Sequence, residues 1–205
     1  MTSIVTKIYQ SIYPIWKTKF ATPIKQRRIR KIIEHAGDTF SSQSPMKILD
    51  LGCNNGMDFL IHFEDKKNIE LYGIDIDDQD YEGRNVKFIK TDGTLIPFED
   101  DFFDLTVSIG VLEHVQPIEN LCTVLSEINR VSKKFVLIVP SIGTILEPHA
   151  VSLFWPIRSA KKKVEHSFLN YFSDEAWMQF NGLKNAKSSR FWYIPGLIKN
   201  FIIWK

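Results

Sequence analysis

Residues 48–60, ILDLGCNNGMDFL, contain the pattern from which the fold is predicted. An apolar run enters a turn that contains Gly52 and Gly56, and a second apolar run leaves it. Such a turn is typical of an open α/β sheet, whose ligands bind beyond the carboxyl ends of the strands. A dinucleotide loop needs further glycines at positions 54 and 57, and a P-loop needs Gly-Lys-Ser/Thr. The chain has Asn54 and Met57 and no such lysine, so the turn fits neither ligand loop.

Short apolar segments recur along the rest of the chain and alternate with segments of helical period. The predicted strands are residues 47–51, 70–76, 85–90, 103–109, 135–139, 187–194 and 200–205. The predicted helices are residues 23–36, 118–131 and 173–180, with another that begins over 57–63. Continuous apolar strands separated by helices indicate a parallel sheet that is buried on both faces. The sequence therefore predicts one doubly wound α/β domain, for which 205 residues suffice.

Charge is nearly balanced overall but unevenly placed. The net charge of +2 produces no global field that would demand nucleic acid. No acid precedes Glu34, whereas lysines and arginines are frequent before it, and a second basic run covers residues 161–163. We expect the basic N-terminal region to be capable of peripheral membrane contact.

The two cysteines, Cys53 and Cys122, lack the spacing of metal ligands, so we expect reduced thiols and no metal site. No apolar run reaches the length of a membrane span, and lysines interrupt the first residues where a signal peptide would be apolar. These features predict a cytoplasmic protein.

Acidic residues follow the predicted strands at positions that suit a nucleoside. Asp50, just before the turn, would repel a pyrophosphate but could pair with a cationic amino group. Asp75 ends the second strand, where a carboxylate can accept hydrogen bonds from both ribose hydroxyls. Asp77 is a nearby competitor for that role. Asp92 follows the third strand and could accept from an exocyclic amine such as that of adenine.

With these residues in place, the chain resembles class I S-adenosylmethionine-dependent methyltransferases, in the small-molecule group often called type 11. The matching segments are ILDLGCNNG (48–56), GIDID (73–77), TDGTLIPFEDDFFDLTVSIGVLEHV (91–115) and RVSKKFVLIVPS (130–141). Asn54 stands where the family usually has glycine. The resemblance implies a Rossmann-like, seven-stranded, mostly parallel sheet with an antiparallel last strand, helices on both faces and an irregular lid. We divide the single domain into an N-terminal helical cap (1–36), a cofactor core (45–141), a substrate lid (142–172) and a closing part (173–205).

The resemblance also implies S-adenosylmethionine as cofactor and assigns its contacts. Asp50 and the turn would hold the methionine part, Asp75 the ribose, and Asp92 the adenine, while residues 108–114 would lie under the sulfonium. The predicted cofactor-binding residues are Asp50, Gly52, Cys53, Asn54, Gly56, Asp75, Ile76, Asp92, Gly93, Ser108, Gly110 and His114. We interpret Cys53 as a small loop residue rather than a nucleophile, and Asp104 as structural.

The acceptor must be inferred from segments outside the family motifs, residues 1–36 and 141–172, which are basic and aromatic. Such surfaces suit a small molecule, a sugar or glycan, or a lipid-linked acceptor. RNA is a competing acceptor, and the low net charge argues against it. We expect methylation of a hydroxyl oxygen, for which a nearby base is useful. The candidate bases are His114 first, then His149 and His166, with Glu147 and Glu165 as alternatives.

Two other classes of function remain open at this point. A nicotinamide or flavin oxidoreductase could use a similar sheet, although the missing glycines disfavour it. A non-catalytic adaptor could keep the fold and dock to a membrane or partner through the basic N-terminal helix.

Overall fold

A computed structural model describes residues 22–41, 45–56, 58–81, 84–147, 152–153 and 169–205. The strands are β1 (Met46–Leu51), β2 (Ile69–Asp75), β3 (Val86–Lys90), β4 (Leu105–Ile109), β5 (Phe135–Pro140), β6 (Leu146–Glu147), β7 (Ser152–Leu153), β8 (Lys187–Ile194) and β9 (Ile198–Trp204). The α-helices are α1 (Thr22–Ala36), α2 (Ile118–Val131) and α3 (Asp174–Trp177). Single 3-10 turns cover Gly37–Ser41, Leu60–His62, Leu112–His114 and Asn181–Leu183.

Seven strands form one sheet in the order β3-β2-β1-β4-β5-β9-β8. The first five strands pair in parallel, and β9 runs antiparallel to both β5 and β8. The predicted seven-stranded, mostly parallel sheet is confirmed. The chain order reverses between β1 and β4, which places a ligand crevice beyond the carboxyl ends of these two strands.

Apolar side chains of the strands supply a core layer on each face of the sheet. In β1, Ile48 packs toward α1, while Leu49 and Leu51 pack toward α2. Strand side chains alternate between faces, so a continuous apolar run serves two layers at once. Each such fully buried side chain contributes roughly 1.5–3 kcal/mol to the free energy of unfolding. The prediction of helices on both faces is therefore confirmed.

Two predicted helices are shorter than the sequence pattern suggested. Of the helix predicted to begin over residues 57–63, only Leu60–His62 is helical among the described residues, because Phe59, Leu60 and Phe63 pack into the core. A helix this short has little stability of its own, so tertiary packing sets its conformation. Helix α3 begins as predicted, with Ser173 Oγ accepting from the Ala176 N–H at 3.2 Å, but ends at Trp177.

Asp104 fixes the entry of β4, as predicted. Its carboxylate accepts from the Lys47 N–H and from Lys133 Nζ, both at 2.8 Å. The side chain therefore ties the start of β4 to the neighbouring β1 and to the segment that precedes β5.

The predicted lid is described only in part, by residues 142–147, the β6–β7 pairing and residues 169–172. Residues 1–21, 148–151 and 154–168 lie outside the described residues, so the lid and the N-terminal membrane contact stay predictions. None of the described helices has the length and apolarity needed to cross a membrane.

Candidate functional site

A cavity of about 350 Å³ lies beyond the carboxyl ends of β1 to β4, at the reversal of strand order. Six of the predicted cofactor residues line it: Gly52, Asp75, Ile76, Asp92, Gly110 and His114. Val111, within the predicted stretch 108–114, also lines it, and the other lining residues were not among the predicted contacts: Leu51, Ile74, Thr91, Thr94, Val115, Gln116 and Asn120. The volume is within the range of small-molecule sites.

Gly52 makes the sharp turn at the end of β1 possible. Its φ is +78°, and an added Cβ would lie 2.1 Å from Cγ2 of Val111. The Gly52 and Cys53 N–H groups both donate to the Ile74 carbonyl, at 2.7 and 3.0 Å. The turn is therefore pressed against β2, and a residue with a side chain would displace Val111 from the cavity wall.

Asn54, the departure from the usual glycine, adopts a left-handed conformation with φ 45°. Asparagine tolerates this region better than most residues with a side chain. Its carbonyl accepts from the Tyr81 hydroxyl at 2.7 Å, and Arg84 donates to the Asn55 carbonyl while pairing with Glu64. Side chains that precede β3 thus hold the turn in place.

Asp75 ends β2 and lines the cavity. Its two oxygens accept from the backbone N–H groups of Asn54 at 2.7 Å and Asp77 at 3.1 Å. Each carboxylate oxygen has a second lone pair, so Asp75 can still accept two hydrogen bonds from a ligand. Asp77, the competing candidate, does not line the cavity and contributes its N–H to this arrangement.

Asp92 is a second carboxylate of the cavity. Its Oδ1 accepts from the hydroxyl of Thr94 at 2.6 Å and from the Thr94 N–H at 2.9 Å, and these bonds lower the pKa of Asp92. The ionised side chain can accept from a ligand amine. The neighbouring Gly93 is buried and does not line the cavity, and its N–H donates to Thr91 Oγ1 at 3.3 Å.

Asp50 lies buried behind the turn, 4% exposed, and does not line the cavity. Burial raises its pKa to about 8, and the negative charges of Asp58 and Asp75 add to the effect. A carboxyl group in this environment becomes ionised most readily when a positive group approaches. The surroundings of the turn therefore favour a cationic ligand and disfavour a pyrophosphate.

Other predicted contacts are also absent from the cavity wall. Cys53 is buried, and burial raises the pKa of its thiol to about 12, so it stays protonated and is no nucleophile. Gly56 and Asn54 belong to the turn without lining the cavity. Ser108 is buried within β4, away from the cavity wall.

His114 ends the 3-10 turn after β4 and lines the cavity. Asn170 fixes this turn from a distant part of the chain, since its Nδ2 donates to the carbonyls of Leu112 at 3.0 Å and Val115 at 2.7 Å. Its Oδ1 accepts from Gln116 Nε2 at 2.7 Å. Sequence reasoning missed Asn170, because its partners are more than 50 residues away.

The remaining candidate bases cannot be placed. His149, His166 and Glu165 lie outside the described residues, and the Glu147 side chain is also outside them. Among the residues that the structure describes, no three His, Cys, Asp or Glu side chains come together as metal ligands would.

The strand order, with five parallel strands and an antiparallel β9, is that of the class I S-adenosylmethionine-dependent methyltransferase fold. A family model described as a methyltransferase domain matches residues 24–187. The chain belongs to this family, and its cofactor is S-adenosylmethionine. No curated protein matches the sequence significantly.

Solved structures share the fold at low sequence identity. A methyltransferase from Methanosarcina mazei is 17% identical, with a TM-score of 0.57 over 80% of this chain and 92% of its own. Geranyl diphosphate C-methyltransferase from Streptomyces coelicolor is 13% identical, with a TM-score of 0.59 over 87% and 76% of the two chains. The 1,6-didemethyltoxoflavin-N1-methyltransferase from Burkholderia thailandensis, solved with 1,6-didemethyltoxoflavin and S-adenosylhomocysteine, is 15% identical, with a TM-score of 0.59 over 98% of this chain and 84% of its own.

Proposed function

We propose that the protein transfers a methyl group from S-adenosylmethionine to a hydroxyl oxygen of a small-molecule, glycan or lipid-linked acceptor. The observation that carries the proposal is the cavity in which the Gly52 turn, the Asp75 and Asp92 carboxylates and His114 meet. Its acids and its tight turn suit a cationic nucleoside better than a dinucleotide.

Each part of the cofactor has a matching group in this chain. Asp75 accepts from the ribose hydroxyls through its remaining lone pairs. Asp92 accepts from the adenine amine, and Ile76, which is 66% exposed in the wall, offers the base an apolar face. Asp50, behind the turn, provides negative charge for the ammonium group. The donor-acceptor pattern of the cavity thus fits the cofactor.

The protein's contribution to the reaction is mainly geometric. The cofactor, when bound, supplies an electrophilic methyl group on its sulfonium sulfur, and the thioether that remains after the transfer is neutral. The residues around Gly110 and His114 align an acceptor and exclude water. An imidazole nitrogen of His114 then takes the proton of the hydroxyl as it reacts. His149 is the second candidate for this proton transfer.

Methyl transfer is tested by incubating the protein with S-adenosylmethionine that carries a labelled methyl group and a panel of sugars, lipids and small metabolites. We expect label in a hydroxyl-bearing acceptor. His114→Gln should lower kcat by about 100-fold, the lower end for general base catalysis, a larger factor than any by which it raises the Kd for S-adenosylhomocysteine. The matched control is His62→Gln, an exposed histidine outside the cavity, which should leave both quantities unchanged.

Two outcomes would count against the proposal. Failure to bind S-adenosylhomocysteine would remove the cofactor assignment and with it the reaction. Binding without turnover of any acceptor would favour the non-catalytic adaptor, and label on RNA would move the acceptor to another class.

A further inference from the structure

A second cavity, of about 260 Å³, lies at the carboxyl ends of β4 and β5. Its wall combines residues from α1, β8 and β9 with those that follow β4. Gly110 lines both this cavity and the cofactor cavity. A molecule in the second cavity would therefore lie beside the cofactor, separated from it by a residue that has no side chain.

Arg28 supplies positive charge to the second cavity. Its guanidinium carbon lies 3.9 Å from the ring centroid of Tyr193, so the aromatic ring covers one face of the group. Stacking of this kind fixes the guanidinium while leaving its in-plane N–H donors free for a ligand. Tyr193 therefore holds Arg28 ready for a partner in the cavity.

Within the described part of the chain, the guanidinium of Arg28 has at least one N–H donor without a hydrogen-bond partner. Its Nε is buried and has no hydrogen-bond partner there, and no carboxylate of the described residues pairs with it. A buried donor without a partner costs free energy. Because Arg28 lines the cavity, the other N–H donors of its guanidinium can meet a ligand oxyanion there. The planar fork of arginine matches a carboxylate or a phosphate.

The opposite side of the cavity has a different chemistry. Glu113 is 2% exposed and lines the cavity, and its Oε1 would lie 3.5 Å from a Cβ placed on Gly110. This carboxyl group thus lies at the wall shared with the cofactor cavity, where it can accept from a hydroxyl or an amine. Asn200, 6% exposed, adds a further polar group. The two ends therefore suit a molecule with an oxyanion at one end and a hydrogen-bond donor at the other.

We propose that the second cavity is the acceptor site, and that the acceptor carries a carboxylate or phosphate group bound by Arg28. This inference rests on the proposed methyl transfer. Binding of the acceptor's oxyanion at Arg28 would orient the acceptor. Its hydroxyl or amine would then face Glu113 and Gly110, next to the cofactor.

The test is calorimetry of the whole chain saturated with S-adenosylhomocysteine, titrated with inorganic phosphate and, separately, with malonate. We expect at least one anion to bind in the millimolar range, and the one that binds identifies the oxyanion. Arg28→Gln should weaken that binding about tenfold or more, because charge-assisted hydrogen bonds are lost. Arg28→Lys keeps the positive charge but lacks the planar guanidinium that can donate two parallel hydrogen bonds, so its loss of anion affinity should be smaller than that of Arg28→Gln.

The matched control is Arg27→Gln, an exposed position of the same helix outside the cavity, where anion binding should be unchanged. An unaltered Kd for S-adenosylhomocysteine would show that Arg28→Gln has folded. The inference is overturned if neither anion binds to the wild-type complex, or if each anion that binds the wild type binds Arg28→Gln as tightly. Failure of S-adenosylhomocysteine itself to bind would instead overturn the proposed function.

Discussion

Substitution of Asp50 by asparagine tests whether the buried carboxyl group is there to meet a cation. Burial, together with the negative charges of Asp58 and Asp75, raises the pKa of Asp50 from the usual value of about 4 to about 8. Asparagine has nearly the same shape and cannot ionise. The substitution therefore removes the titration while keeping the packing behind the turn.

The sign of the effect on stability follows from the two pKa values. In the unfolded chain Asp50 loses its proton above about pH 4, whereas in the folded chain it keeps the proton until about pH 8. The folded state thus binds more protons between these values, and the free energy of unfolding falls as pH rises through this window. Each pKa unit corresponds to about 1.4 kcal/mol, so the loss at pH 7 is about 4 kcal/mol.

In the absence of ligand, the free energy of unfolding of Asp50→Asn should exceed that of the wild type by up to about 4 kcal/mol at pH 7. Near pH 4 the two values should be equal. Urea unfolding followed by circular dichroism measures both values. At pH 8 the variant should bind S-adenosylhomocysteine at least about tenfold more weakly, because the ammonium group loses a charged partner. Asp65→Asn, at an exposed site, is the control and should change neither quantity. Equal stability at pH 7, or unchanged affinity, would show that Asp50 neither loses a proton in this pH range nor pairs with the ammonium group.

The turn itself gives two further predictions. Asn54→Gly should leave the Kd for S-adenosylhomocysteine within about twofold, because glycine adopts the same positive φ freely, whereas Asn54→Val should cost about 1–3 kcal/mol of unfolding free energy. Gly52→Ala should lower the unfolding free energy by at least about 2 kcal/mol in urea denaturation, since its Cβ meets Val111 at a φ of +78°.

Each of these has its own contradicting result. A fully stable Asn54→Val would show that the turn tolerates another φ. For Gly52, the double variant Gly52→Ala/Val111→Ala should recover part of the loss, because the clash is relieved while the backbone strain remains. No recovery would mean that the clash with Val111 does not cause the loss.

The sheet could be predicted because its signals are local. The central strands β1, β2, β4 and β5 are apolar runs, and Asp75 at the end of β2 and Asp92 after β3 both line the cavity. The same locality predicted the start of α3 at Ser173 and the structural role of Asp104. These interpretations needed only residue type and spacing.

The contacts that the sequence did not reveal join distant segments. The Tyr81 hydroxyl reaches the Asn54 carbonyl across 27 positions, and nothing in the residues around either one indicates this pairing. The second cavity brings Arg28 beside Tyr193 through the sheet topology alone. Contacts between distant segments also shorten the helix expected over residues 57–63, because its apolar side chains pack into the core against other parts of the chain.

The cavity at the carboxyl ends of β1 to β4 should bind the nucleoside of S-adenosylmethionine through Asp75, and calorimetric titration with S-adenosylhomocysteine measures this binding. We predict one molecule bound per chain. Asp75→Ala should weaken binding at least tenfold, because charge-assisted hydrogen bonds of roughly 1.5–3 kcal/mol each are lost. Asp77→Ala, which keeps its backbone N–H and lies outside the cavity wall, should bind as the wild type does. Absence of any heat of binding, or equal affinity of Asp75→Ala and wild type, would contradict the account.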